Sequence, residues 1–144
     1  EQQVTVFDHQ DQMNEWIILP SNKKLRQSYV SMNNTDYDVV SKFKHVLLQH
    51  KITKKFLHVH NDFRGPVSEK EKAHEVTCVE FDPLSDDSHA NFEFQINFSD
   101  KKAEANLEVA DNEFELISSV ASNCKLISHK DKLPPWGYFK QGVI

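Results

Sequence analysis

The chain has 144 residues, 27% of them charged and 38% hydrophobic, and a formal net charge of -5 at pH 7. That length suits one domain with its own core, and the acidic balance, with no basic tract, speaks against a nucleic-acid partner. No apolar run approaches the roughly 20 residues that a membrane-spanning helix needs, so no direct membrane insertion by this segment is expected, and Glu1-Gln2-Gln3 does not read as a signal sequence.

In chain order, short strands are expected at Val4 to Phe7, Trp16 to Leu19, Lys44 to Leu48, Phe56 to His60, Val76 to Phe81, Phe92 to Phe98, Phe114 to Ile117 and Lys125 to Ile127. The strongest signal is in the sixth, where Phe92, Phe94, Ile96 and Phe98 alternate with Glu93, Gln95 and Asn97 and so give an extended strand one apolar face. Helical turns are expected only over Ser68 to His74 and Ala103 to Val109, neither of which carries a long apolar stripe. Many short strands between turn formers point to an all-β sandwich or barrel-like fold.

The sequence also repeats itself. His45 through His60 lies over Phe114 through His129 at a constant offset that pairs Leu48 with Ile117, Leu57 with Leu126 and His60 with His129. Gln3-Val4-Thr5 leading to Asp11, Asn14 and Trp16 parallels Glu75-Val76-Thr77 leading to Asp87, Asn91 and Phe92, and the chain closes on Gln141-Gly142-Val143-Ile144. Two periods of one unit are therefore present, starting and stopping mid-unit.

Cys78 and Cys124 fit either one disulfide or two thiols, and spacing alone does not decide between them. Asn33-Asn34-Thr35 and Asn97-Phe98-Ser99 fit the acceptor pattern for N-glycosylation, which has meaning only in a secretory setting.

Three sets of residues resemble the MIR domain, a β-trefoil of three repeats found in an ER-lumenal loop of protein O-mannosyltransferases, in ER-lumenal stromal-factor-like proteins and in intracellular calcium-release channels. They are Gln2-Gln3-Val4-Thr5 with His9, Asp11, Asn14, Glu15 and Trp16; Leu57-His58-Val59-His60 with Pro66-Val67-Ser68 and Glu75-Val76-Thr77-Cys78; and Cys124 with the stretch from Leu133 to Gln141. Leu133-Pro134-Pro135-Trp136-Gly137 is similar to the mannosyltransferase branch, of the fungal type. The sequence departs from the family pattern at Phe92, where Trp is usual, at Ile127, where the third unit lacks the first His, and at Gly142, within the last strand.

The resemblance implies an all-β, β-trefoil domain of three MIR repeats, incomplete at both ends: residues 1–37 the tail of the first repeat, 38–103 the second and 104–144 a truncated third. It implies residence in the endoplasmic reticulum lumen, as a lumenal loop of a multi-pass membrane protein. The domain itself is expected to be non-catalytic and without a cofactor, binding a glycan or a mannosylated Ser/Thr-rich acceptor and modulating O-mannosylation. Transfer from dolichyl phosphate mannose would occur elsewhere in the parent glycosyltransferase. A paired transferase subunit is a further expected partner. Two other readings stay open: a protein-interaction domain for subunit assembly, and the MIR module of a stromal-factor-like ER chaperone cofactor.

The chemistry of the residues agrees with binding rather than turnover. No Ser or Cys stands beside an oriented base, and Cys78 sits on an apolar strand where an inert thiol is expected. His58 and His60, two apart, share one face of a strand, but two imidazoles do not make a metal site, and hydrogen-bonded structural histidines are the expected reading. Sugars present C–H faces for stacking and hydroxyls for hydrogen bonds. Ligand contacts are accordingly expected from Leu57, His58, His60, Asn61, Arg64, Ser68 and Trp136, with Leu57 and one His alternatively holding the repeat together. Trp16, between a charged turn and Ile17, is at least as well suited to the core.

Overall fold

A computed structural model describes residues 2–6, 9–32, 45–64, 73–84, 87, 89–99, 113–121, 124–132 and 141–143. Its strands are β1 (Gln2–Gln3), β2 (Thr5–Val6), β3 (Trp16–Pro20), β4 (Val46–His50), β5 (Phe56–Arg64), β6 (His74–Val79), β7 (Phe94–Phe98), β8 (Phe114–Ser118), β9 (Ser128–Lys132) and β10 (Gln141–Val143). One α-helix, α1 (Lys23–Met32), joins β3 to the segment before β4. The larger sheet runs β1-β6-β5-β4-β7-β8, with β3 also paired to β4, and a smaller one runs β2-β10-β9. Each named strand pair is antiparallel, as an all-β trefoil requires.

Alternation divides the larger sheet into two apolar faces. Val46 and Leu48, Leu57 and Val59, Val76 and Cys78, and Phe94 meet on one of them, with Trp16 and Ile18 packed against the cluster. Leu19, Leu47, Phe56 and Phe92 meet on the other, flanked by Ile17, Val79 and Phe81. The side chains of β3, β4 and β5 thus serve both faces in turn, which is why Val46-Leu47-Leu48 reads as an unbroken apolar run. Trp16 is half-buried against the first cluster and edge-on to His50, with ring centroids 5.2 Å apart, so it belongs to the core.

Two stretches of the ladder pair alike, one residue from the expected register: Ile18 faces Leu48 where β3 meets β4, and Ile96 faces Leu116 where β7 meets β8, so Leu48 answers to Leu116 where the constant offset expected Ile117. The β4–β5 hairpin closes at Gln49↔Phe56, and its counterpart closes at a bridge between Ile117 and Lys125. Around that bridge the backbone hydrogen bonds among the described residues are Ser118 N–H to Cys124 O and Leu126 N–H to Leu116 O, and the strand expected at Lys125 to Ile127 begins instead at Ser128.

The motif residues of the first segment build a turn. Asp11 caps a short 3-10 helix over Gln12–Asn14 by accepting from Met13 N–H at 2.7 Å, and Asn14 Nδ2 donates to the His9 carbonyl. His50, buried at the end of β4, fastens this turn. Its Nε2 donates to Met13 O at 3.0 Å, and its Nδ1 accepts from the N–H and hydroxyl of Thr53 at 3.2 and 2.9 Å. Because a carbonyl can only accept, those partners fix the ring as the neutral Nε2–H tautomer.

Helix α1 is not among the expected elements, and its inward residue explains why. Asn22 caps it, accepting from Leu25 N–H at 3.2 Å, and the side chain turned fully inward is Arg26. Arg26 donates from Nε to Pro83 O at 2.9 Å and from Nη1 to the carbonyls of Pro20 and Ser21, with its guanidinium 5.2 Å from the Phe81 ring centre. A helix held by an arginine leaves no apolar stripe to detect. Of the helical turns expected from sequence, His74 lies at the start of β6, while 68–72 and 103–109 fall outside the described residues.

Candidate functional site

The candidate face is built on the outer half of β5. Leu57 and Val59 turn toward the main cluster, so His58 and His60 share the opposite face with Phe56. Their rings lie edge to face with centroids 4.5 Å apart. His58 also packs edge to face on Phe92 at 4.7 Å, Phe92 lies 5.0 Å from Phe81, and Phe81 lies 5.0 Å from Phe56. At the outer end His60 stands 5.8 Å from Phe63. A continuous row of rings therefore runs from the buried Phe56 to Phe63, which is 62% exposed.

A break in strand register brings Phe63 there. β5 and β6 pair in step from Phe56↔Val79 to His60↔Glu75, after which Arg64 pairs with His74, leaving Asn61, Asp62 and Phe63 without counterparts. Such an irregularity re-aims the side chains that it carries. All three are exposed, as is Arg64. His60 Nε2 lies 2.9 Å from Thr77 Oγ1 on β6. His74 donates from Nδ1 to His60 O at 3.1 Å, leaving Nε2 to accept from Arg64 Nη1 at 3.4 Å. On the inner side Asn91 clasps β5, accepting from Val59 N–H at 2.9 Å and donating from Nδ2 to Val59 O at 2.8 Å.

Of the residues expected to contact ligand, the structure gathers His58, His60, Asn61 and Arg64 on one strand end. Leu57 is 3% exposed within the main cluster, so it supports the strand from beneath and its side chain is not offered to a ligand. Ser68 and Trp136 lie outside the described residues. Phe63 and His74 were missed from sequence. The signal for Phe63 was an aromatic residue between the charged Asp62 and Arg64, concealed because the strand was expected to end at His60. Among the described residues no group of three or more His, Cys, Asp or Glu is placed to hold a metal ion.

A separate pocket of about 180 Å³ opens on the other face of the sheet, lined chiefly by Val59, Val76, Phe94 and Leu126, with Cys124 at its side. Cys78 and Cys124 are free thiols, the first buried and the second exposed. Burial pushes the Cys78 thiol up to about 11, against a smaller opposing pull from Lys55. A thiol-specific reagent at pH 8 is therefore expected to titrate Cys124 at once and Cys78 only after denaturant is added; two fast equivalents by absorbance would contradict this burial.

At the Cys124 end, Lys125 hydrogen-bonds Glu115, which holds that carboxyl below its ordinary value of 4.5. The pair is exposed and contributes little to stability.

The chain matches the MIR domain family over residues 1–144, and it belongs to that family. It is 36% identical to dolichyl-phosphate-mannose–protein mannosyltransferase 5 of Candida albicans over 150 residues, covering 99% of this chain and 20% of that protein. It is 30% identical to dolichyl-phosphate-mannose–protein mannosyltransferase 1 of Saccharomyces cerevisiae, covering 99% of this chain and 17% of that protein. A solved structure of the S. cerevisiae protein O-mannosyltransferase Pmt1-Pmt2 complex bound to the sugar donor aligns with a TM-score of 0.73 at 28% identity, covering 98% of this chain and 18% of that one. The chain thus spans about a fifth of the length of these relatives.

Proposed function

We propose that this chain is the MIR domain of a protein O-mannosyltransferase, and that it holds a glycan or a mannosylated Ser/Thr-rich segment while the transfer of mannose takes place elsewhere in the parent enzyme. The parent would be a glycosyltransferase of the endoplasmic reticulum membrane and the domain one of its lumenal loops. Relatives that are mannosyltransferases over the full span of this chain support that setting, and no described helix is long and apolar enough to cross a membrane. The division into a first-repeat tail, a second repeat and a truncated third repeat belongs to the same proposal.

The observation that carries the binding role is the row of rings ending at the exposed Phe63, with Asn61 and Arg64 beside it. Rings offer a stacking surface to the C–H face of a pyranose, and the amide and guanidinium offer planar donors to its hydroxyls. His60 fits the role of a hinge between the two, since its ring is set by Thr77 and its carbonyl by His74.

Titration with mannose and with an O-mannosylated Ser/Thr peptide, followed by amide NMR shifts, is expected to move the signals of residues 58–64 at millimolar ligand, and His60→Ala is expected to weaken the response several-fold. No shifts at millimolar concentration of either ligand would sink direct binding. A second reading, assembly of paired transferase subunits, draws support from the matched complex of two transferases and from the exposed apolar side chains of Met13 and Ile52.

A further inference from the structure

We propose that Asn97 is an N-glycosylation site on the outward face of the β7–β8 ladder. The inference rests on the lumenal reading above, since only there does the acceptor pattern Asn97-Phe98-Ser99 meet a lipid-linked oligosaccharide.

Strand geometry turns this pattern outward. Phe98 is 8% exposed and anchored in the sheet, so its neighbours Asn97 and Ser99 face solvent. The amide of Asn97 is lightly engaged: Nδ2 lies 3.4 Å from Glu115 Oε2, at the long limit for such a bond, and Glu115 has Lys125 as a closer partner. Gln95, two residues back on the same face, is exposed as well, so a sugar attached at Asn97 would rest on polar side chains and displace no core residue.

Asn97 faces Glu115 directly across the β7–β8 ladder, on the side of the sheet opposite Phe98 and Phe114. An occupied Asn97 would also exclude the outer β7–β8 face from any subunit contact.

The reaction is a displacement at the anomeric carbon of a lipid-linked oligosaccharide. The bond from that carbon to the pyrophosphate oxygen breaks, its electron pair leaving with the polyisoprenyl pyrophosphate. A bond to Asn97 Nδ2 forms, and the amide gives up one proton to the transferase that catalyses the step.

The test uses the full-length parent protein expressed in a yeast secretory host, treated with peptide N-glycosidase in heavy-oxygen water and mapped by mass spectrometry. The expected result is heavy-oxygen aspartate at position 97, lost in Asn97→Gln and Ser99→Ala and retained in Ser99→Thr. A second variant, Lys51→Asn, places a control acceptor ahead of Ile52 and Thr53 on the exposed β4–β5 turn. A glycan on that turn with none at position 97 overturns the proposal and leaves the lumenal reading standing. Glycans at neither position overturn the lumenal reading and this proposal with it.

Discussion

Phe94→Ala is expected to lower unfolding stability by about 3 to 5 kcal/mol, the range for deleting a fully buried aromatic ring. That is a large share of the total for a single domain, about 5 to 15 kcal/mol. Phe94 has no exposed surface, and its place in the ladder is unusual: it pairs with Val46 on β4 and with Ser118 on β8. Val46↔Phe94 is the register pair that joins β7 to β4, so the ring fills the joint between these two strands. Removing it empties space beside Val59 and Val76, already the lining of the one-sided pocket, where collapse around the gap is limited. Urea unfolding would measure the loss, with Phe98→Ala, nearer the strand end, expected to cost clearly less. Equal losses in the two variants would show that the joint has no special part in stability.

Arg26→Ala is the second large effect, expected at about 3 kcal/mol, because it strands carbonyls that a charged donor now satisfies in a buried place. One guanidinium ties the start of α1, at Pro20 and Ser21, to Pro83 in the loop after β6. Gln27 adds a parallel tie to Leu84 O at 2.7 Å, and Lys23 pairs with Asp87 at 3.2 Å. A lysine has neither the fork nor the planar face to serve three carbonyls and the Phe81 ring together, so Arg26→Lys is expected to recover less than half of the loss. Hydrogen exchange should localise the damage: amides of α1 and of 82–84 speed up, while those of the β3–β4 ladder change little. Full recovery with lysine would show that charge alone, not the fork, fastens the helix.

How much of this was legible in the sequence follows from which residues face inward. The alternation of Phe94, Ile96 and Phe98 named its strand almost to the residue, because one face is buried and the other wet. Repetition pointed to paired stretches but missed their register by a residue, since Ile18↔Leu48 and Ile96↔Leu116 match Leu48 to Leu116 and not to Ile117. Helix α1 escaped because apolar periodicity is blind to an arginine used as a core side chain. The outer half of β5 escaped for another reason: Asn61-Asp62-Phe63-Arg64 reads as a turn, and only the lost register with β6 shows that the chain stays extended there. His58 and His60 were placed on one face from their spacing alone, whereas the contribution of His74 depends on a strand that returns from elsewhere and is invisible to local pattern.

The start of the chain is shared between the two sheets. β1 pairs with β6 in the large sheet, while β2, after Val4 alone, pairs with β10 in the small one. Thr5 sits directly opposite Gly142, about 5 Å away, so one residue beyond β1 the chain changes from the large sheet to the small one beside the last described strand. Because β1 precedes β2 and is paired with β6, a tug on the first residues is met by the large sheet before it reaches the β2–β10 seam, so the chain is stitched into the core first and into the ribbon second.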